Sequence, residues 1–217
     1  MSNYSKPDHW SLKAQKEGYP ARSVYKLKEM DEKFGLLRGG PSPFKVLDLG
    51  AAPGSWSLYI LRKLSSRKAD PKGGGPLLVS PLLVSIDLSA LSRACDQGLF
   101  DRPDFVFIQG DFYQDEVRKA ILSHGPYDLI LSDAAPATSG NRSVDSLRSL
   151  ELAEGVLDYA ADSLRIGGNL ALKIFQGGDS GDLLKKMGGL FEKAKSFKPR
   201  SCRPGSFECY YLGLEKK

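Results

Sequence analysis

One stretch constrains the fold of this chain more than any other: Lys45 to Trp56, KVLDLGAAPGSW. Val46, Leu47 and Leu49 make a short apolar run bounded by polar and small residues, the pattern of a buried β-strand. The strand ends on an acid, Asp48, and runs into a turn of small residues: Gly50, Ala51, Ala52, Pro53 and Gly54. Beyond Gly54 the apolar spacing becomes helical through Trp56, Tyr59, Ile60, Leu61 and Leu64. A strand that turns sharply into a helix exposes backbone N–H groups and a positive dipole end beside the strand's carboxyl edge. Small residues let a ligand approach that backbone. In open α/β sheets this crevice is the usual ligand site.

The glycine spacing narrows the ligand. A dinucleotide fingerprint reads GxGxxG, whereas Gly50 and Gly54 stand four apart. A phosphate loop needs Lys–Ser/Thr after its second glycine, and Gly54 is followed by Ser55–Trp56. The turn therefore suits a neutral or cationic nucleoside, with Asp48 facing a positive group. S-adenosylmethionine, with a sulfonium and an amino group, meets that description. An ordinary tight turn whose glycines serve only packing is the alternative, and this stretch alone leaves both open.

The rest of the chain alternates strands and helices. Residues 1–19 are polar and read as irregular or loosely helical; a helix begins at Pro20 with a stripe of Val24, Leu27, Met30, Phe34 and Leu37, ended by Gly39–Gly40 and Pro41. Residues 65–76 read as a loop. PLLVS then occurs twice, at 76–80 and 81–85, and the second copy is favoured as the next strand because it leads directly into Ile86 and Asp87. A short helix over 89–98, a strand over 105–108, a helix over 114–123 and a strand over 127–131 follow. A long helix after Ser143 is stopped by Gly167–Gly168, and 169–175 form a fifth strand. A helix over 180–192 and strands over 194–198 and 208–214 complete the chain. The pattern predicts an α/β fold: a doubly wound, mostly parallel seven-stranded sheet with an antiparallel hairpin at its C-terminal edge.

Composition excludes several classes. At 217 residues, with 41% hydrophobic and 26% charged side chains, the chain suits a single globular domain. No apolar run approaches the roughly 20 residues of a membrane span, and the first residues lack the apolar core of a secretory signal. Three scattered cysteines, Cys95, Cys202 and Cys209, suggest neither disulfides nor zinc, so no metal and a cytoplasmic location are expected. The net charge of +5 is uneven: residues 1–45 hold nine Lys/Arg against five Asp/Glu, residues 182–217 hold nine against four, and the middle is acidic. A polyanion clamped over an acidic pocket produces this pattern, and so does ordinary surface solubility.

Several residues carry chemistry. Asp48, Asp87 and Asp111 stand at the carboxyl ends of consecutive strands, edges that converge on one crevice. Asp87 can accept from ribose hydroxyls, and Asp111 with Phe112 can hold an adenine by its amino group and ring face. Service as helix N-caps accounts for one or two such acids. Lys173, inside LALKIF, is the sharpest anomaly, because a buried ammonium needs a partner or a depressed pKa. Asp133, at the end of the neighbouring strand, is the natural partner, and a lysine so placed can act as a general base. The alternative, an edge strand with Lys173 turned to solvent, is disfavoured by helices on both faces. Lys26 and Glu208 alone read as surface charges.

Together these residues resemble the FtsJ (RrmJ/RlmE-like) family of ribosomal RNA 2′-O-methyltransferases, over nearly the whole chain, from DHWSLKAQKEGYPARSVYKL at 8–27 to SFECYY at 206–211. The family's Lys–Asp–Lys–Glu tetrad falls on Lys26, Asp133, Lys173 and Glu208, flanked by DLGAAPGSW, SDAAP and LKIFQG. The resemblance implies a Rossmann-like methyltransferase fold, with an N-terminal basic segment and helix over 1–43 and a catalytic core over 44–217. It implies S-adenosylmethionine held by Asp48, Gly50, Ala51, Pro53, Gly54, Trp56, Asp87, Leu88, Asp111, Phe112 and Asp133. It implies methyl transfer to a ribose 2′-OH of RNA, a uridine in large-subunit (23S-type) ribosomal RNA, with Lys173 as general base. RNA contacts are expected from Lys13, Lys16, Arg22 and Lys28 and from Lys195, Lys198, Arg200 and Arg203. A monomer acting on ribosomal RNA or the large subunit is expected. Methylation of tRNA or an mRNA cap, or RNA binding without catalysis, are the rival readings. Three departures from the family pattern spare the tetrad: Ser55 in place of a glycine, Pro20–Ala21 in place of a more basic pair, and a longer loop over 65–81.

Overall fold

A computed structural model describes residues 7–38, 44–67, 82–177 and 180–217. Helix α1 (His9–Lys16) starts at Asp8, whose carboxylate accepts from the Ser11 N–H at 2.8 Å, and so firms up a segment expected to be loose. Helix α2 (Val24–Phe34) is shorter than its apolar stripe predicts. Gly35 takes the left-handed conformation and closes the helix before Leu37, while the Asp31 carboxylate accepts from the Leu37 N–H. The expected stop at Gly39–Pro41 lies outside the described residues.

Strand β1 (Lys45–Leu49) leads through the small-residue turn into α3 (Ser55–Arg67). Residues 65–67 are thus helical rather than loop, and the remainder of that expected loop lies outside the described residues. Strand β2 (Leu82–Asp87) falls on the second PLLVS copy. The helix expected over 89–98 is replaced by two 3₁₀ turns, Arg93–Cys95 and Leu99–Asp101; Gly98, at positive φ, separates them. Strand β3 (Phe105–Gln109), helix α4 (Asp115–Ser123) and strand β4 (Tyr127–Ser132) follow as expected. Helix α5 (Arg142–Ser163) passes directly into β5 (Leu164–Phe175), so Gly167–Gly168 lie within the strand instead of ending the helix. Pairing of Tyr127 with Leu164 extends β5 backward, across a register shift. Helix α6 (Ser180–Leu190) runs into β6 (Phe191–Phe197), and β7 (Glu208–Lys216) completes the sheet.

The seven strands lie in the order β3-β2-β1-β4-β5-β7-β6. Strands β1 to β5 pair in parallel, and β7 runs antiparallel to both β5 and β6. The C-terminal hairpin is at the edge as expected, but β7 takes its inner place and β6 is the edge strand. Alternate residues feed two cores, so both faces are covered and the central strands read as continuous apolar runs. Val46, Leu129, Leu131, Ala171 and Leu212 pack with α2 and α3; Leu47, Leu49, Ile130, Leu170 and Leu172 pack with α5 and α6. Among the described residues no helix is long and apolar enough to cross a membrane.

Candidate active site

The carboxyl ends of β1, β2, β3 and β4 frame a cleft of about 460 Å³, lined by Gly50, Asp87, Leu88, Asp111, Phe112 and Asp133 among others. Gly50 has φ +77°, and a Cβ there would stand 2.6 Å from the backbone N and Cα of Ala134, so only glycine lets the β1 and β4 turns close together. Asp87 ends β2; its carboxylate accepts from the Ala52 N–H at 2.9 Å and the Ser89 N–H at 2.8 Å, which fixes it at the rim. Asp111 accepts from the Tyr113 N–H at 2.9 Å, and the Phe112 and Tyr113 rings, centroids 4.6 Å apart, both line the cleft.

The other turn residues build the cleft without lining it. Ala51 is buried and its N–H donates to the Ile86 carbonyl at 3.0 Å; the Pro53 carbonyl accepts from Ser92; Gly54, at φ +105°, abuts Phe100. Two expectations need correction. Asp48 lies inside β1, not past its end, so its side chain points into a sheet face. It is fully buried and accepts from the Ser57 hydroxyl at 2.7 Å, and burial raises its pKa to about 7. Trp56 is 2% exposed and donates through Nε1 to the Ser23 carbonyl at 2.9 Å, tying α3 to α2 rather than flanking the cleft.

The tetrad assembles at the cleft's far wall. Lys173 Nζ lies 3.0 Å from the Asp133 carboxylate and donates to the Asp133 carbonyl, so the lysine within β5 has the partner its burial demands. Lys26, from α2, lies 2.9 Å from Glu208 and 3.9 Å from Asp133. Burial opposes charge on Lys26, but Asp133 and Glu208 outweigh it and raise its pKa. Burial likewise opposes charge on Asp133, and Lys173 and Lys26 outweigh it and hold that pKa below the ordinary aspartate value. Tyr210, absent from the expected site, donates its hydroxyl to Asp133 at 2.6 Å. Burial, then Asp133, then Glu208 push its pKa well up. The signal for it was parity: Tyr210 shares a face with Glu208, two residues before it, and pairs with Lys173 across β5 and β7.

A second cleft, of about 560 Å³, opens on the other side of the tetrad, with Lys26, Glu208, Arg22, Arg203, Phe175 and Phe207 in its walls. Asp133 lines the first cleft and the Lys26–Glu208 pair the second, so the carboxylate–amine cluster forms the partition between them. Of the basic residues expected to meet a polyanion, Arg22 and Arg203 reach this cleft. Arg22 is also tied to Asp8 and the Ser201 carbonyl. Lys13 and Lys28 lie over the Tyr25 ring and pair with Glu17. Lys198 donates to the Ser206 carbonyl, and the Arg200 N–H donates to Glu29 of α2; Lys16 and Lys195 are exposed outside the cleft's walls.

Such a sheet, with an acid-rimmed cleft at its switch point and a buried amine between that cleft and a second one, has the layout of a group-transfer enzyme of the doubly wound α/β class. A family model described as FtsJ-like methyltransferase matches residues 19–216. "Ribosomal RNA large subunit methyltransferase E" of Treponema denticola is 44% identical over 216 residues, covering 100% of this chain and 98% of its own. The protein of the same name from Borreliella afzelii is 42% identical, covering 95% and 96%. A crystal structure described as a ribosomal RNA methyltransferase from Plasmodium falciparum superposes with a TM-score of 0.71 at 27% identity, over 91% of this chain and 98% of that one. The chain belongs to the FtsJ-like methyltransferase family.

Proposed function

We propose that this enzyme methylates a ribose 2′-OH in large-subunit ribosomal RNA, a uridine of the 23S-type molecule, using S-adenosylmethionine. The observation that carries the reading is the Lys173–Asp133 pair, held at 3.0 Å in the partition between a nucleoside cleft and an arginine-bearing cleft. The carboxylates of Asp87, Asp111 and Asp133 round the first cleft suit a ligand with ribose hydroxyls, an amino group and a cationic centre. S-adenosylmethionine bound there supplies an electrophilic methyl group on a sulfonium.

The chain's own residues do the rest. Arg22 and Arg203 draw the phosphates of an RNA strand to the second cleft. Lys26 and Glu208 flank the ribose and fix its 2′-OH toward the partition. Lys173 takes the hydroxyl proton on Nζ while Asp133 and its carbonyl hold that nitrogen in place. A positioned base contributes about 10²–10⁴-fold, and in-line alignment of two reactants can contribute about 7–11 kcal/mol. A 2′-OH target makes RNA rather than DNA the substrate. A cytoplasmic monomer acting on ribosomal RNA or the large subunit completes the reading. Mapping 2′-O-methyl positions in ribosomal RNA from cells with and without the gene tests it: one large-subunit uridine loses its methyl group in the deletion, and an unchanged ribosomal RNA map with a lost tRNA or cap methyl group overturns the substrate.

A further inference from the structure

A third cleft, of about 460 Å³, opens along the N-terminal half of α5, with Arg142, Ser146, Leu147, Leu150, Glu151 and Gly177 in its walls. It adjoins the second cleft, because the Arg142 guanidinium lies over the Phe207 ring at 5.2 Å and Phe207 lines that cleft. Leu147 is 61% exposed and with Leu150 gives the third cleft an apolar side. Ser146 is only 7% exposed, and its hydroxyl has no hydrogen-bond partner among the described residues. Buried polar groups are rarely left so, and each asks for an explanation. Gly177 packs against that hydroxyl with no side chain between them: a Cβ there would stand 2.6 Å from Ser146 Oγ. Of the two acids in the cleft, Glu154 is neutralised by Lys186 at 2.5 Å, whereas the Glu151 carboxylate makes no ion pair among the described residues.

We infer that this cleft is a subsite for the guanine of an RNA nucleotide adjoining the methylated one, an inference that rests on the proposed function. A leucine wall takes a base face. A carboxylate beside it accepts from two neighbouring donors at once, and among the four bases guanine alone presents a ring N–H beside an amino group. A turn of the Ser146 side chain toward the cleft that it lines gives its hydroxyl an acceptor in the base's carbonyl oxygen or ring nitrogen. Arg142, between the two clefts, meets the phosphate that links the two nucleotides.

The test uses unmodified large-subunit ribosomal RNA transcripts in which each guanine adjoining the methylated position is replaced in turn by inosine, which lacks the amino group. At one position inosine raises the KM of the wild-type enzyme about tenfold and leaves the Glu151→Gln variant unaffected, in line with the discrimination of a bidentate base contact. Glu151→Gln itself raises KM about 10–100-fold for the guanine RNA, with kcat and cofactor affinity unchanged. Gly177→Ala, which crowds the Ser146 side chain and blocks its turn, raises KM in the same way. Equal KM for guanine and inosine RNAs, or a Glu151→Gln variant indistinguishable from wild type, overturns the subsite. Binding of the same RNAs without cofactor separates the two readings. Guanine-dependent binding without methyl transfer overturns the reaction and keeps the subsite; methyl transfer without guanine dependence overturns the subsite alone.

Discussion

Replacing Asp133 by Asn removes one negative charge from between two ammonium groups while nearly keeping the side-chain shape. The Lys173 side chain is 8% exposed and that of Lys26 11%. In the variant Lys26 keeps Glu208 at 2.9 Å, but Lys173 keeps only the carbonyl of residue 133. Breaking a buried pair by removing one partner costs about 3–5 kcal/mol. The low end applies, because Lys26 retains a counter-ion, so the expected loss is about 3 kcal/mol. For a chain of this length that is a fall in Tm of about 6–12 °C. Urea unfolding at neutral pH gives the free-energy difference directly, with the slope m unchanged. The pH dependence has a definite sign. The native pKa of Asp133 lies below its unfolded value, so its contribution is complete above the unfolded aspartate pKa of about 3.9 and is lost as pH falls through the native value. Wild type and Asp133→Asn therefore converge in acid. A neutral-pH difference under about 0.5 kcal/mol would refute the argument that this carboxylate is what makes the two buried amines tolerable.

Three further outcomes follow from the geometry. Gly50→Ala places a Cβ 2.6 Å from the Ala134 backbone at φ +77°, with a left-handed penalty of about 1–2 kcal/mol besides, so cofactor affinity falls at least about tenfold in a calorimetric titration while RNA affinity holds; unchanged cofactor binding contradicts the close approach of the two turns. Burial raises the pKa of Asp48 from 3.8 to about 7, so the native state keeps that proton longer than the unfolded chain, and wild type loses stability as pH rises through this window, by about 4 kcal/mol at roughly 1.4 kcal/mol per unit. Asp48→Asn has no such proton, and its stability curve from pH 4 to 8 should be flatter; an identical slope contradicts the buried placement. Reversing Arg22 and Arg203 to Glu should weaken RNA binding and reduce the steepness of log K against log salt by roughly 1.5, at about 0.7–0.9 per phosphate contact. An unchanged slope in filter binding puts the phosphate contacts elsewhere.

How much was legible without coordinates differs from element to element. The β1 turn was, because a buried strand ending in small residues has few other uses. Lys173 was, because an amine in an apolar run must find a counter-charge, and the strand order supplied Asp133. Strand-end acids were legible only to within a residue: Asp87 ends β2 and Asp133 follows β4, so both overhang the edge, whereas Asp48 is one residue short of the end of β1 and turns inward. The place of β7 between β5 and β6 rests on pairing of 170–175 with 208–213, a long-range choice that local spacing does not express. Tyr210 was missed because an aromatic residue on a buried strand ordinarily serves the core, and its hydroxyl matters only once Lys173 is known to sit opposite. Arg22 and Arg203 look like any of the other terminal cations until α2 and the loop before β7 are folded against each other.

The most direct test of the account is single-turnover methyl transfer by Lys173→Ala, with labelled S-adenosylmethionine and unmodified large-subunit RNA, alongside cofactor binding by the same preparation. Transfer slowed by at least about 10²-fold, with cofactor affinity within about threefold of wild type, is the predicted result. A transfer rate close to that of wild type in this variant would contradict the assignment of the buried amine as the base.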